Sequence, residues 1–487
     1  MTDSEFIAWM KSADCIKLIL VEVQDVNVAG TPVPFYLSSG PFVSSPSDTP
    51  ANQFYTPCIS GGVNFIETLG LDGSISISYG DIEIANRNGS RDAWLDYIWR
   101  NRNINVYIGD PRKLKTDFRL IFSGVINDIA SKSIDVLNIS ILSKLDKLNV
   151  PISEDILVDA EGKNQLIPLT FGECFNVSPI ISNAVTLEYQ VHNTAIEDII
   201  EVRGGGYPIG FTKDLTHGKF TLTDAPYGVI TCSVQGATPY GNTISNLVTK
   251  IISNYGPSTS RLGASIDTAN FSAFNTANPQ PVGLYINTQI NKLLAIEQLT
   301  KSVGAALTCN AQGSFKLIKI DLPAIGTTTA VTKADMYYNT LTISERPLVK
   351  AGIKLGYAKN WTTQTDGLLA GLAQNTLDIF KLEWYANESK NTTTGTKYSI
   401  PTTAEQQETL LLTQTDADNE SDRRLALWGT QRSVISATYY PHMFLTELGD
   451  SISITYDRIG LNSGKTGMVV QLSKDWLNSK ITIGVLI

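Results

Sequence analysis

Apolar and polar residues alternate most clearly at Ile75, Ile77 and Tyr79, which interleave with Ser74, Ser76 and Ser78. A period of two places one set on a buried face and the other in water, so the run predicts a half-buried strand. Gly80-Asp81 reads as a break, and Ile82 and Ile84 resume the pattern. The same reading predicts strands over 16–23, 104–108, 118–129 and 134–142, and a hairpin over 26–37 that turns at Ala29-Gly30. A short opening helix carries Phe6, Ile7 and Met10 at helical spacing behind a Ser4 cap. Residues 92–99 predict a second short helix, 144–148 a closing helical turn, and the Ser/Pro-rich stretch 41–53 a loop.

The period changes twice more. After a linker with some extended structure over 151–176, short strands are predicted at 187–191, 199–202, 209–211, 219–222 and 229–234. Ile244, Leu247, Val248, Ile251, Ile252 and Tyr255 then recur at helical spacing, between an Asn242 or Thr243 cap and a Gly256 stop. A second helix over 288–303 and a hairpin over 305–320 follow. The last part returns to strands at 341–346, 352–357, 433–440, 451–456, 467–473 and 480–486. A helix over 416–428, capped by Thr415, lies between them, and 365–403 is polar and loop-rich apart from 379–385. The chain therefore reads as a mainly β, multi-domain α+β protein. Its segments are an N-terminal β domain (1–150), a small all-β module with its linker (151–240), a two-helix plus hairpin α/β module (241–340) and a C-terminal β domain (341–487).

Composition changes this picture in one respect. The 487 residues are 42% hydrophobic, enough for packed cores, but only 17% are charged, against about 25% in ordinary soluble domains. Lys plus Arg is 38 and Asp plus Glu is 47, a net charge of −9. That balance argues against binding to a phosphate backbone, which needs clustered positive charge. The longest basic cluster, Arg112-Lys113-Leu114-Lys115, is short and reads as a solvated loop. No run of about 18 apolar residues predicts a membrane span. Asp3 and Glu5 stand where a signal peptide would be basic, so assembly in a cytosol-like compartment is expected.

Candidate chemistry is sparse. The five cysteines, Cys15, Cys58, Cys174, Cys232 and Cys309, form no CxxC pair and read as buried or semi-buried thiols. The three histidines, His192, His217 and His442, offer no chelating pair. Cys174 lies in Gly172-Glu173-Cys174-Phe175, which is not a nucleophile elbow, and His192 reads as structural. Arg203-Gly204-Gly205-Gly206 joins two strands and lacks the Gly-Lys-Ser/Thr of a phosphate loop. Asp416-Ala417-Asp418-Asn419-Glu420 lacks the glycine and distal glutamate of a calcium loop, and its acids suit a helix N-terminus. The aromatic residues show no cluster that suggests a sugar cleft. No catalytic, cofactor-binding or metal-binding residue is assigned, no cofactor is expected, and the chain is expected not to be an enzyme.

Three runs near the N-terminus nevertheless resemble a known family. Phe65-Ile66-Glu67 leads to Ser74-Ile75-Ser76-Ile77-Ser78-Tyr79-Gly80-Asp81-Ile82-Glu83-Ile84. Asn105-Val106-Tyr107-Ile108-Gly109-Asp110 follows, and then Phe122-Ser123-Gly124-Val125. Near the other end, Arg423-Arg424-Leu425-Ala426-Leu427-Trp428 precedes Leu448-Gly449-Asp450-Ser451-Ile452-Ser453-Ile454 and Arg458-Ile459-Gly460-Leu461. The order of these elements resembles bacteriophage tail hub proteins of baseplates and tail tips, and Pro168 to Pro179 resembles linkers in related virion proteins.

The resemblance implies two β-barrel-like tube domains, one near each chain end. It implies a homotrimer whose ring adapts the sixfold tail tube to a threefold spike or central fibre. The partners would be a tail tube or distal tail protein on one face and a spike or fibre protein on the other. Phage DNA would pass through without specific binding, and the protein would reside in the virion after assembly in the host cytoplasm. Two readings compete: a tail-associated enzyme that degrades cell wall or glycan, with Glu173 or Cys174 as the residues to substitute, and a receptor-binding adhesin. Sparse charge suits a subunit covered by neighbours, because interface cores are depleted in charge.

Overall fold

A computed structural model describes residues 1–158, 164–324 and 326–487. The predicted linker over 151–176 falls partly outside these residues. The chain divides into two compact units, neither of them one continuous stretch. Unit 1 comprises Met1–Lys147, Leu307–Pro347 and Arg432–Ile487, and unit 2 comprises Leu148–Ala306 and Leu348–Gln431.

Unit 1 is built on one sheet of fifteen strands. Nine come from the N-terminal part of the chain, between Leu18 and Ser143, and six from the C-terminal part, between Thr328 and Leu486. The two sets meet where Ile59–Thr68 pairs antiparallel with Lys465–Asp475, from Thr68 opposite Gln471 to Asn64 opposite Asp475. Side chains alternate along these strands, and their inner faces make one core that includes Val21, Ile82, Ile139, Ile454, Val469 and Ile483. The opening helix Asp3–Lys11 is capped by Thr2 in a capping box with Glu5, rather than by Ser4. Its Phe6 is fully buried against Trp476, with ring centroids 6.4 Å apart, and Trp476 in turn stacks on Phe444 at 4.2 Å. Fully burying such a ring contributes roughly 1.5–3 kcal/mol, so the N-terminal helix is held by C-terminal residues.

Several expectations are corrected. Among the described residues no sheet closes into a barrel, so the two expected barrel-like domains are replaced by one open sheet that both chain ends share. A path of thirteen of its strands begins at Thr342–Glu345 and ends at Phe42–Val43, Thr328–Thr332 and Ser451–Thr455 branch from it, and no ladder among the described residues joins the two ends. Gly80-Asp81 does not break a strand but lies inside Tyr79–Ala85, whereas Ser74 to Ser78 pairs with nothing in a ladder. The glycine is there for close approach: a Cβ on Gly80 would stand 2.1 Å from the Asn64 carbonyl oxygen of the neighbouring strand.

Unit 2 contains a five-stranded sheet in the order Tyr207–Pro208, Ile196–Gly204, Ile230–Ala237, Leu169–Val177 and Gly283–Ile286. A four-stranded sheet and a three-stranded sheet stand beside it. Leu169–Val177, within the stretch expected as a linker with some extended structure, is an interior strand paired on both sides. The helices Ile244–Asn254 and Lys292–Lys301 match the periodic segments, and a third, Thr268–Ala277, lies between them. Only Phe271 and Phe274 of that third helix are buried, too few to print a period. The stretch 365–403 also gains structure: helices Gln374–Lys381 and Thr392–Tyr398 flank the strand Tyr385–Lys390. Residues 379–385, the exception noted within that stretch, are a helix end followed by a strand start.

Candidate functional site

The residues that could have carried chemistry have structural partners. His192 is fully buried, with Nδ1 accepting the Thr170 N–H at 2.9 Å and Nε2 3.0 Å from the Tyr255 hydroxyl. These partners fit the neutral ring with its proton on Nε2, and burial pushes its pKa down to about 3. His217 pairs with Asp214 at 2.8 Å on the surface, and His442 lies 3.1 Å from Asp335. The Cys174 thiol is wholly buried, points at the Phe171 carbonyl at 3.6 Å, and is pushed well above the ordinary thiol range by desolvation. Glu173 accepts from the Gln235 amide at 3.2 Å. A nucleophile must be exposed and activated, and neither residue is placed for that.

The glycine loop is a turn between Ile196–Gly204 and Tyr207–Pro208, with Gly205 and Gly206 at φ of 53° and 90°. Arg203 bonds within its own hairpin, to Glu201 and the Gly206 carbonyl. The acidic run opens the helix Gln414–Trp428, where Thr413 caps the Asp416 N–H. Glu420 is occupied by Arg423 and Arg424, each at 2.7 Å. Among the described residues no group of three or more His, Cys, Asp or Glu side chains could hold a metal. The basic run is not simply a solvated loop: Arg112 pairs with Asp110 and Asp14, and Lys115 with Glu22 at 2.7 Å.

What the fold does build is the join between the chain's two ends in unit 1. Glu67 and Lys474 sit on the two joining strands, both almost fully buried, with Oε2 and Nζ 3.7 Å apart. Burial raises the Glu67 pKa, and Lys474 opposes that rise. Phe65, two residues earlier, stacks on Phe122 at 4.4 Å. Leu448-Gly449-Asp450 forms the turn into Ser451–Thr455. There Gly449 takes φ 87°, its N–H bonds the Val469 carbonyl at 2.9 Å, and the Asp450 carboxylate accepts the Glu447 N–H at 2.8 Å. Asp110 accepts from the Arg112 backbone N–H, Nε and Nη2, which hold its carboxyl below the usual range. The motifs behind the family resemblance at 65–67, 80, 110, 122–124 and 448–450 are thus the residues that shape this sheet.

The ends of the sheet are open. Every residue of Thr342–Glu345 is exposed, its strand has one ladder partner among the described residues, and Tyr338 just before it is 94% exposed. At the other end Val43 is 59% and Phe54 54% exposed. An edge strand with unpaired backbone groups and apolar side chains is a template for another chain. A sequence shows neither feature, because which strand ends a sheet is a property of topology.

No protein-family model matches the chain, and no curated protein matches it. Among solved structures it is similar to a tail protein from Neisseria meningitidis MC58, at 9% identity over 96% of each chain with a TM-score of 0.43. It is also similar to the 43 kDa tail protein of prophage MuSo2 from Shewanella oneidensis, at 10% identity over 96% of this chain and 98% of that one, with a TM-score of 0.42. A prophage tail protein from Listeria monocytogenes EGD-e gives 9% identity over 96% and 94%, with a TM-score of 0.40. Identities and scores this low leave function to be argued from the chain itself.

Proposed function

We propose that the chain is a structural subunit of a phage tail hub. Three copies form a ring that adapts a sixfold tail tube to a threefold spike or central fibre and leaves a bore for DNA. The observation that carries this reading is the single sheet of unit 1, in which nine strands from one end of the chain and six from the other join, and whose terminal strands Thr342–Glu345, Phe42–Val43 and Thr328–Thr332 each have one ladder partner among the described residues. A subunit with two β halves places six such halves in a trimer, which is how a threefold object presents six similar positions to a sixfold partner. The sparse charge and the exposed apolar edge residues support burial by neighbours. On this reading the protein acts without catalysis, is assembled in the host cytoplasm and resides in the virion. The four segments 1–150, 151–240, 241–340 and 341–487 would serve as ring-forming ends with modules between them.

Sedimentation equilibrium on the purified full chain tests the ring. A trimer of the 53.0 kDa chain is expected, in an equilibrium that shifts toward monomer when Ile343 is replaced by Lys. A chain that remains monomeric at every concentration reached would overturn the proposal.

A further inference from the structure

Unit 2 carries a cleft of about 350 Å³ that the hub reading does not use. Its aromatic wall is assembled from three distant parts of the chain. Tyr285 meets Trp361 edge to face at 5.7 Å, and Trp384 enters from the strand side of the polar stretch 365–403. The Lys359 ammonium lies 4.3 Å from the ring centroids of both tryptophans, so the rings clasp it from two sides. Gln298, Lys301 and Glu408 are among the polar lining, Ile286, Ile290 and Leu410 among the apolar, and both tryptophans are half-buried. The volume is within the range of small-molecule sites, roughly 300–1,000 Å³.

The occupant follows by elimination. A cationic ligand is disfavoured because the space between the indoles already holds the chain's own ammonium. An anionic one is disfavoured because Lys359 is 3.7 Å from Glu383 and Lys301 is 2.6 Å from Glu297, while Glu408 adds a further negative charge. A wholly apolar ligand would strip water from these charged groups without replacing their bonds. A neutral ring with apolar C–H faces and hydroxyl edges satisfies both halves of the site. Its C–H faces would meet the apolar lining of Ile286, Ile290 and Leu410, and its hydroxyls the Glu408 carboxylate, the Gln298 amide and the Lys301 ammonium.

We propose that this cleft binds a neutral saccharide. The proposal does not depend on the hub reading. The test titrates the full chain with glucose, galactose, rhamnose, N-acetylglucosamine and their short oligomers, followed by tryptophan fluorescence and saturation-transfer NMR. Choline and glucuronate serve as the cationic and anionic controls. At least one neutral saccharide is expected to bind saturably and to outbind both controls. Trp384→Ala and Glu408→Gln are each expected to weaken it by about tenfold, a difference of about 1.4 kcal/mol. Glu408 is exposed, so its variant carries the test even if the tryptophan variant does not fold. No saturable binding by any neutral sugar, tighter binding of choline or glucuronate, or an affinity unchanged by Glu408→Gln would overturn the proposal.

Discussion

At the scale of single residues, His192 shows how a chemically suggestive side chain becomes architecture. Between Thr170 and Tyr255 it fits only as the neutral ring, so its folded pKa, about 3, lies below the ordinary value of 6.5. Between those values the unfolded chain binds the extra proton, and stability falls as pH falls. The contribution of this group is therefore complete above about pH 6.5 and is lost on acidification toward pH 3, amounting to a few kcal/mol. Comparing urea midpoints of the wild type and His192→Gln from pH 7.5 to pH 4 checks this. The wild type is expected to lose stability more steeply, and parallel curves would contradict it. The tryptophan cleft is the opposite case. Tyr285, Trp361 and Trp384 are far apart in sequence, so no spacing rule brings them together, and an aromatic content of 9% gave no hint of a cluster.

At the scale of elements, the joining strands make a sharper claim. Glu67 and Lys474 are a buried pair whose desolvation competes with their attraction. Lys474→Met, which leaves the carboxylate alone, is expected to cost about 3 kcal/mol. Glu67→Leu combined with Lys474→Met should come within about 1 kcal/mol of the wild type or exceed it. Chemical denaturation of the two variants separates these outcomes. Gly80→Ala is expected to cost at least about 2 kcal/mol, because its methyl would meet backbone rather than a side chain that can move aside. Arg424 holds the end of the helix Lys292–Lys301, donating to the Lys301 carbonyl at 2.6 Å and to Glu420 and Gln407. Arg424→Lys removes that fork, with an expected loss of about 2 kcal/mol in thermal or urea unfolding.

These elements also show what the sequence could and could not reveal. Strands 219–222, 352–357 and 480–486 stand where the sequence places them, and Lys219–Leu222 alternates half-buried and buried positions. Thr268–Ala277 was hidden because it buries only two rings. Gly80 was misread because a glycine that admits a neighbouring strand looks the same in a sequence as one that turns the chain. The helix Gln414–Trp428 was legible, but its cap is Thr413 rather than Thr415, since three threonines precede the acidic run within six residues of one another. The partnering of Ile59–Thr68 with Lys465–Asp475 had no local signal, because ladder partners about 400 residues apart in sequence are fixed only by the whole fold.

At the scale of the whole molecule, low charge and open sheet edges are the features that the proposed ring has to explain. The proposed ring accounts for both: covered faces carry few charges, and unpaired edges find partners. A trimer would also explain why the two ends of the chain are fused into one sheet, since each subunit then contributes two linked β halves. The most direct measurement is electron-microscope averaging of particles of the purified full chain. The account expects a threefold ring with six similar lobes around an open bore. Particles the size of one chain, or an assembly with no bore and no threefold axis, would contradict it.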